Sequence, residues 1–161
     1  MRVLVTGGTG QIGRYVLDEL MTAGHVVTNV GRTPGADVPC RHLTAELTDA
    51  GQVYQALVQS EAEAVVHMGA WSNAGIVGPS RTYAENTVGT YNLFQACADL
   101  GVRRIVNGSS GQVYGFADSP PVYVPVDEDH PLRPINSYAV SKIAGEAAAD
   151  YFSKRYGMTI L

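Results

Sequence analysis

Tyr138 and Lys142 stand four residues apart in Ser137-Tyr138-Ala139-Val140-Ser141-Lys142, a spacing that puts both side chains on one face of a helix. A free tyrosine has a pKa of about 10 and is a poor base at neutral pH. A neighbouring ammonium favours the phenolate, and each tenfold gain in that ionisation corresponds to about 1.4 kcal/mol. Tyr138 beside Lys142 can then exchange a proton with a substrate hydroxyl or carbonyl oxygen. A third residue type joins them in Asn107-Gly108-Ser109-Ser110-Gly111-Gln112-Val113-Tyr114-Gly115, where the Ser110 hydroxyl can hold the reacting oxygen beside Tyr138. Each piece alone has a plainer reading: an amphipathic helix surface for the first, local turn bonding for the second.

The N-terminal stretch Thr6-Gly7-Gly8-Thr9-Gly10-Gln11-Ile12-Gly13 follows an apolar run and opens a helix-like segment. A pyrophosphate site needs glycines at such a place. One permits the tight turn, one lets backbone approach the phosphates, and one packs helix against strand. The helix start adds free N–H groups and partial positive charge. A plain strand-to-helix turn is the alternative, and the spacing Gly7, Gly10, Gly13 is not Gly-x-Gly-x-x-Gly. With a dinucleotide on this loop, Lys142 is placed to hold its nicotinamide ribose, and the oxidised ring favours the Tyr138 phenolate. The end of the second strand reads Asn29-Val30-Gly31-Arg32-Thr33, without a carboxylate to bond the adenosine ribose and repel a 2′-phosphate. Arg32 offers a guanidinium that pairs with phosphate or stacks on adenine. The expected cofactor is therefore NADP in preference to NAD, with a solvated surface arginine as the other reading of Arg32.

These groups need a scaffold that brings distant loops together. Strand-like runs at Arg2–Val5, Val26–Val30, Arg41–Leu43, Ala64–Met68, Arg103–Asn107 and Met158–Leu161 alternate with helical patterns. The helices are expected at Gln11–Ala23 (with Ile12, Tyr15, Val16 and Leu20 on its apolar face), from an Asp49 cap to Ser60, at Thr82–Leu100, and from Asn136 or Ser137 to a stop at Gly157. Residues 115 to 134 contain five prolines and read as a long irregular loop. Strands separated by helices make an α/β protein with a doubly wound parallel sheet and helices on both faces. Such a sheet binds ligands beyond the carboxyl ends of its strands, so the loops after residues 6, 30, 68 and 108 share one cleft.

At 161 residues the chain fits one domain, with 45% hydrophobic and 16% charged residues typical of a globular protein. A net charge of -4 and scattered basic residues argue against nucleic-acid or acidic-membrane partners. Cys40 and Cys97 lie far apart and read as reduced, packed thiols, although one disulfide stays open. With neither a signal peptide nor an apolar run of about 20 residues, the expected location is the cytoplasm.

In order along the whole chain, Thr6 to Gly13, Glu46-Leu47-Thr48-Asp49, Val66-His67-Met68-Gly69-Ala70, Asn86 with Gly89-Thr90, Ser109 to Gly115, and Tyr138 to Lys142 resemble the extended short-chain dehydrogenase/reductases, specifically the NAD(P)-dependent epimerase/dehydratase family of which UDP-glucose 4-epimerase is typical. The resemblance implies a Rossmann-type fold, with Tyr138 as acid/base, Lys142 as its partner and Ser110 in the catalytic Ser/Thr position. It also implies that Leu47 and the Met68-Gly69-Ala70 backbone line adenine and ribose, and that Asn86 supports the central helix near the cofactor. Glu46 stands where the family usually has an adenine-binding Asp, and the longer side chain leaves that contact open. A nucleotide-sugar or related polyol is the implied substrate, with hydride transfer in an epimerase or oxidoreductase. The family's 4,6-dehydratases carry an Asp-Glu pair after the catalytic residue. Here Gly111-Gln112 cannot move those protons, which argues against dehydration.

Family members run to about twice this length, and their C-terminal half builds most of the substrate pocket. This chain stops at Thr159-Ile160-Leu161, inside the expected sixth strand, so a single NAD(P)-binding domain over residues 1–161, as a fragment or a truncation, is expected. In that form a non-catalytic NADP-binding module is the competing reading. A homodimer through the two long helices, 82–100 and 136–156, is implied. No metal site is expected: His25, His42 and His130 are isolated, and His67 reads as a packed histidine near the cofactor. Asp127-Glu128-Asp129 reads as a solvated acidic turn. Trp71 and Ser72, after the cofactor-lining stretch, either touch substrate or pack.

Overall fold

The structure, a computed structural model, describes residues 1–33, 37–73 and 75–161. Six strands, β1 (Arg2–Thr6), β2 (Val26–Gly31), β3 (Arg41–Thr44), β4 (Ala64–His67), β5 (Arg104–Asn107) and β6 (Thr159–Ile160), pair in parallel in the order β3-β2-β1-β4-β5-β6. Four α-helices connect them: α1 (Gln11–Thr22), α2 (Ala50–Ser60), α3 (Pro79–Leu100) and α4 (Ser137–Tyr156). The order reverses between β1 and β4, where the chain leaves the sheet in opposite directions. The crevice at that reversal receives ligands in this architecture.

Alternation along the strands sorts the core. Leu4, Val30, Val65 and Ile105 face α2, α3 and α4, packing with Val53, Leu57, Leu93, Phe94 and Phe152. Val3, Val5 and Val27 face the other way, onto Leu17 of α1. Helices thus cover both faces, three on one and one on the other. Phe152 of α4 meets Tyr91 and Phe94 of α3 edge-on, with ring centroids 5.3 and 5.7 Å apart, so α3 and α4 are locked side by side. The two thiols sit in different clusters and are free, Cys97 fully buried against the α2–α4 side and Cys40 at the edge of the other.

Helix ends follow the local chemistry. Asp49 caps α2 by accepting from Gln52 N–H at 3.1 Å, and Asn136 caps α4 by accepting from Ala139 N–H at 2.9 Å. Gly157 ends α4 in the left-handed region with φ +63°. Three features differ from the expectation. α3 begins one turn before Thr82, because Pro79 occupies the first helical position, where its missing N–H costs nothing. A 3₁₀ helix at Gly111–Tyr114 interrupts the stretch after β5. Ile12 and Tyr15 are 64% and 74% exposed, not buried; α1 packs through Gly13 and Leu17, with the expected Val16 and Leu20 partly buried against the same cluster. Close approach of α1 to β1 requires the small residue, and that rotates the buried face. Among the described residues, no helix is long and apolar enough to cross a membrane.

Candidate active site

The loops after β1, β2, β4 and β5 and the first turns of α1 and α4 enclose a cleft of about 1510 Å³ over the strand-order reversal. Every site residue expected from the sequence lines it. From the glycine loop come Gly7, Gly10, Gln11, Ile12 and Gly13; from the β2 and β3 ends, Arg32, Glu46 and Leu47. Met68, Gly69 and Ala70 follow β4, Asn86 comes from α3, Ser110 follows β5, and Tyr138 and Lys142 come from α4.

At the β1 end the backbone is drawn tight. Gly7 has φ +72°, and a Cβ there would lie 2.8 Å from the Gly69 Cα. A Cβ on Gly13 would lie 2.2 Å from the Gly7 carbonyl oxygen, so only glycine lets α1 begin this close to the turn. Gly10, the N-cap, contributes no side-chain hydrogen bond. Among the described residues, the first-turn N–H groups of α1 therefore have no side-chain capping partner where Gln11, Ile12 and Gly13 line the cleft. That uncapped helix start fits a pyrophosphate.

A residue not foreseen from the sequence holds this loop. Asn29, fully buried on β2, accepts from Gly8 N–H at 2.9 Å. It donates through Nδ2 to His42 Nδ1 at 2.8 Å, and His42 Nε2 in turn donates to the Thr33 carbonyl at 2.9 Å. The signal was an amide inside the apolar run Val-Val-Thr-Asn-Val, a polar group that a buried strand must satisfy.

Thr6 and His67 join β1 to β4. The Thr6 hydroxyl accepts from Gly69 N–H at 2.9 Å, so its own proton goes to His67 Nδ1 at 2.6 Å. His67 then carries its proton on Nε2 and donates to the Thr90 hydroxyl of α3 at 3.1 Å. Burial first, and then the Lys142 charge, push the His67 pKa down to about 3, so the ring is neutral. Asn86 ties three elements. Its Oδ1 accepts from Trp71 N–H at 2.8 Å, and its Nδ2 donates to the Ser141 hydroxyl of α4 at 3.0 Å.

Arg32 lies over the Trp71 ring with its guanidinium carbon 3.7 Å from the centroid. Trp71 is anchored by its indole N–H to Glu85 Oε2 at 2.7 Å. The guanidinium of Arg32 makes no hydrogen bond to protein among the described residues, leaving its N–H groups for a ligand.

At the other end of the cleft, the α4 cap by Asn136 sets Tyr138 and Lys142 in the first two turns. Lys142 Nζ donates to the Gly108 carbonyl at 2.7 Å and lies 5.7 Å from the Tyr138 ring centroid. Burial pushes the Lys142 pKa down, opposed by the carboxylate of Glu146. Tyr138 is buried on its ring and makes no hydrogen bond through its hydroxyl among the described residues. The Ser110 hydroxyl accepts from Gln112 N–H at 3.2 Å and caps the 3₁₀ helix. Gln112 is occupied by Asn136 Nδ2, donating to its Oε1 at 3.0 Å. The proline-rich segment folds around buried His130, whose Nε2 accepts from Val122 N–H at 2.9 Å among the rings of Tyr114, Phe116 and Tyr123. Among the described residues, no three His, Cys, Asp or Glu group as for a metal ion.

The sheet order, the glycine turn and the cleft at the reversal define a Rossmann-type α/β protein. The chain belongs to the NAD-dependent epimerase/dehydratase family, whose model matches residues 3–161. It is 31% identical to a UDP-glucose 4-epimerase of Lactobacillus helveticus, over 98% of this chain and 49% of that protein. The fold superposes on a short-chain dehydrogenase/reductase superfamily protein of Agrobacterium tumefaciens with bound NAD, at TM-score 0.87 and 33% identity, covering 99% of this chain and 47% of that one. It also superposes on a UDP-glucose 4-epimerase of Thermotoga maritima with UDP-glucose, at TM-score 0.88 and 27% identity, covering 99% and 53%. The chain spans about half the length of the relatives it matches.

Proposed function

We propose that this chain is the dinucleotide-binding, proton-transferring part of an NAD(P)-dependent epimerase or oxidoreductase acting on a nucleotide-sugar or related polyol. The observation that carries the reading is one cleft with an uncapped glycine-turn helix start at one end and Tyr138, Lys142 and Ser110 at the other. The family and the epimerase relatives support the same chemistry.

In this reading the N–H groups of Gln11, Ile12 and Gly13 hold the pyrophosphate. Leu47, with the backbone of Met68, Gly69 and Ala70, flanks adenosine, with Glu46 at its edge. Asn86 keeps that loop and α4 in register. The bound nicotinamide supplies the hydride acceptor and donor. Tyr138 moves the proton at the substrate oxygen, the Lys142 ammonium stabilises its phenolate, and Ser110 shares a hydrogen bond with that oxygen. Gly111 and Gln112 hold no carboxyl group and Gln112 is tied to Asn136, so dehydration is outside the reading. Of the two cofactors we favour NADP, on Gly31 and the available Arg32 guanidinium, although the Agrobacterium neighbour holds NAD. Exposed Tyr83, Val88 and Tyr91 of α3 with Val140 and Tyr151 of α4 support a homodimer across these helices.

The test is Tyr138→Phe in the full-length protein. Turnover of the nucleotide-sugar should fall about 10²- to 10⁴-fold while cofactor affinity stays within about twofold. Unchanged turnover would remove Tyr138 from the chemistry. A second reading, a binding module without turnover, draws on the uncapped α1 start, which can hold a pyrophosphate without any substrate. It expects tight cofactor titration with no cofactor reduction on adding a nucleotide-sugar.

A further inference from the structure

Ser109 and Glu146 have no part in the proposed reaction, yet they meet at the Tyr138 end of the cleft. The Ser109 hydroxyl donates to the Glu146 carboxylate. Glu146 stands on α4 one turn beyond Lys142, whose Nζ donates to the carbonyl of Gly108, the residue before Ser109. Two consecutive residues of the β5 loop are thus gripped by two residues on one face of α4. Ser110 comes next in the chain. Its place relative to Tyr138 is set by whatever fixes that loop against the helix.

We infer that Glu146 is a positioning residue for this centre: through Ser109 it pins the Gly108–Ser110 backbone to α4, and its carboxylate keeps a counter-charge one helical turn from the Lys142 ammonium. The consequence for catalysis rests on the proposed roles of Tyr138 and Lys142; the geometry itself does not.

The electrostatic half follows from what surrounds Lys142. From β4 it faces His67, which is neutral; from the β5 loop, the Gly108 carbonyl; from its own helix, Tyr138 and Glu146. Burial works against the ammonium, and among the described residues Glu146 is the anionic group that opposes it. Without that charge, burial acts on Lys142 without that opposing carboxylate, and the lysine is more readily neutral.

The sequence has two lysines, Lys142 and Lys154, so the side-chain signals of ¹³C-lysine-labelled protein are assigned with Lys154→Arg. Glu146→Gln keeps an acceptor for Ser109 and removes the charge. The Lys142 titration midpoint should fall by about 0.2–0.4 pH unit, the size of one screened charge a helical turn away. Amide order parameters at Ser109 and Ser110 should fall from about 0.85 toward about 0.6 in Glu146→Leu and in Ser109→Ala, and stay near wild type in Glu146→Gln. An unmoved midpoint in Glu146→Gln overturns the counter-charge. Unchanged order parameters in Ser109→Ala overturn the pin, even if Glu146→Leu fails to fold. Both readouts use the cofactor-free chain. A Tyr138→Phe protein with intact turnover would therefore defeat the enzymatic reading while leaving this inference standing.

Discussion

Arg32 can be engaged on its face and still offer its edge. Stacking on Trp71 uses the π surface of the guanidinium and contributes about 0.5–1 kcal/mol at an exposed site. The N–H groups remain for an anion, and the stack limits the rotamers that must be ordered when one arrives. If Arg32 pairs with the 2′-phosphate, Arg32→Ala removes a charge-assisted bond worth about 1.5–3 kcal/mol. NADP should then bind about 10- to 100-fold more weakly, and NAD within about twofold of wild type. Fluorescence titration of both cofactors checks this. Equal losses would return Arg32 to a role in packing alone.

The element that matters most is the junction of β1 with α1. At Gly13 a methyl group has nowhere to go, since the Gly7 carbonyl oxygen and the Gly8 Cα stand 2.2 and 2.7 Å from its place. Gly13→Ala must push α1 off the turn that positions Gln11 and Ile12. We expect it to lower stability by about 1–3 kcal/mol and to weaken both cofactors alike, seen by urea unfolding and titration. At the other end of the cleft, Asn136 both caps α4 and bonds Gln112. Asn136→Ala should cost about 1 kcal/mol in the same unfolding assay, and a value near zero would mean the cap is dispensable.

For the molecule as a whole, His67 makes stability depend on pH. Its pKa is about 3 folded, against an ordinary 6.5, so between those values the unfolded chain binds one more proton than the folded one. Its contribution is therefore complete at neutral pH and is lost as pH falls below 6.5. From this group alone, unfolding free energy should drop by about 2 kcal/mol between pH 7 and pH 5. Urea midpoints across that range read it directly, and a flat profile would mean the ring is not buried neutral. At the same scale, a solution mass of one chain would count against pairing through α3 and α4.

The local signals sufficed for most elements. Strand and helix periods, the Asp49 and Asn136 caps and the Gly157 stop carry their information within a few residues, so the order of elements and the shared cleft were legible in the sequence. The sequence by itself also determined which loops hold the glycines and Ser110, and that Tyr138 and Lys142 share the start of one helix. What it could not give were partnerships between residues distant in the chain. Asn29 under Gly8, His67 between Thr6 and Thr90, Arg32 on Trp71, and Glu146 with Ser109 were decided only by tertiary structure. The face of α1 was likewise decided there, because the close approach at Gly13 turns Leu17 inward and leaves Ile12 and Tyr15 exposed. Local propensity acts through neighbours three or four residues away. A buried hydrogen bond is satisfied by whichever group the packed sheet and helices bring within reach.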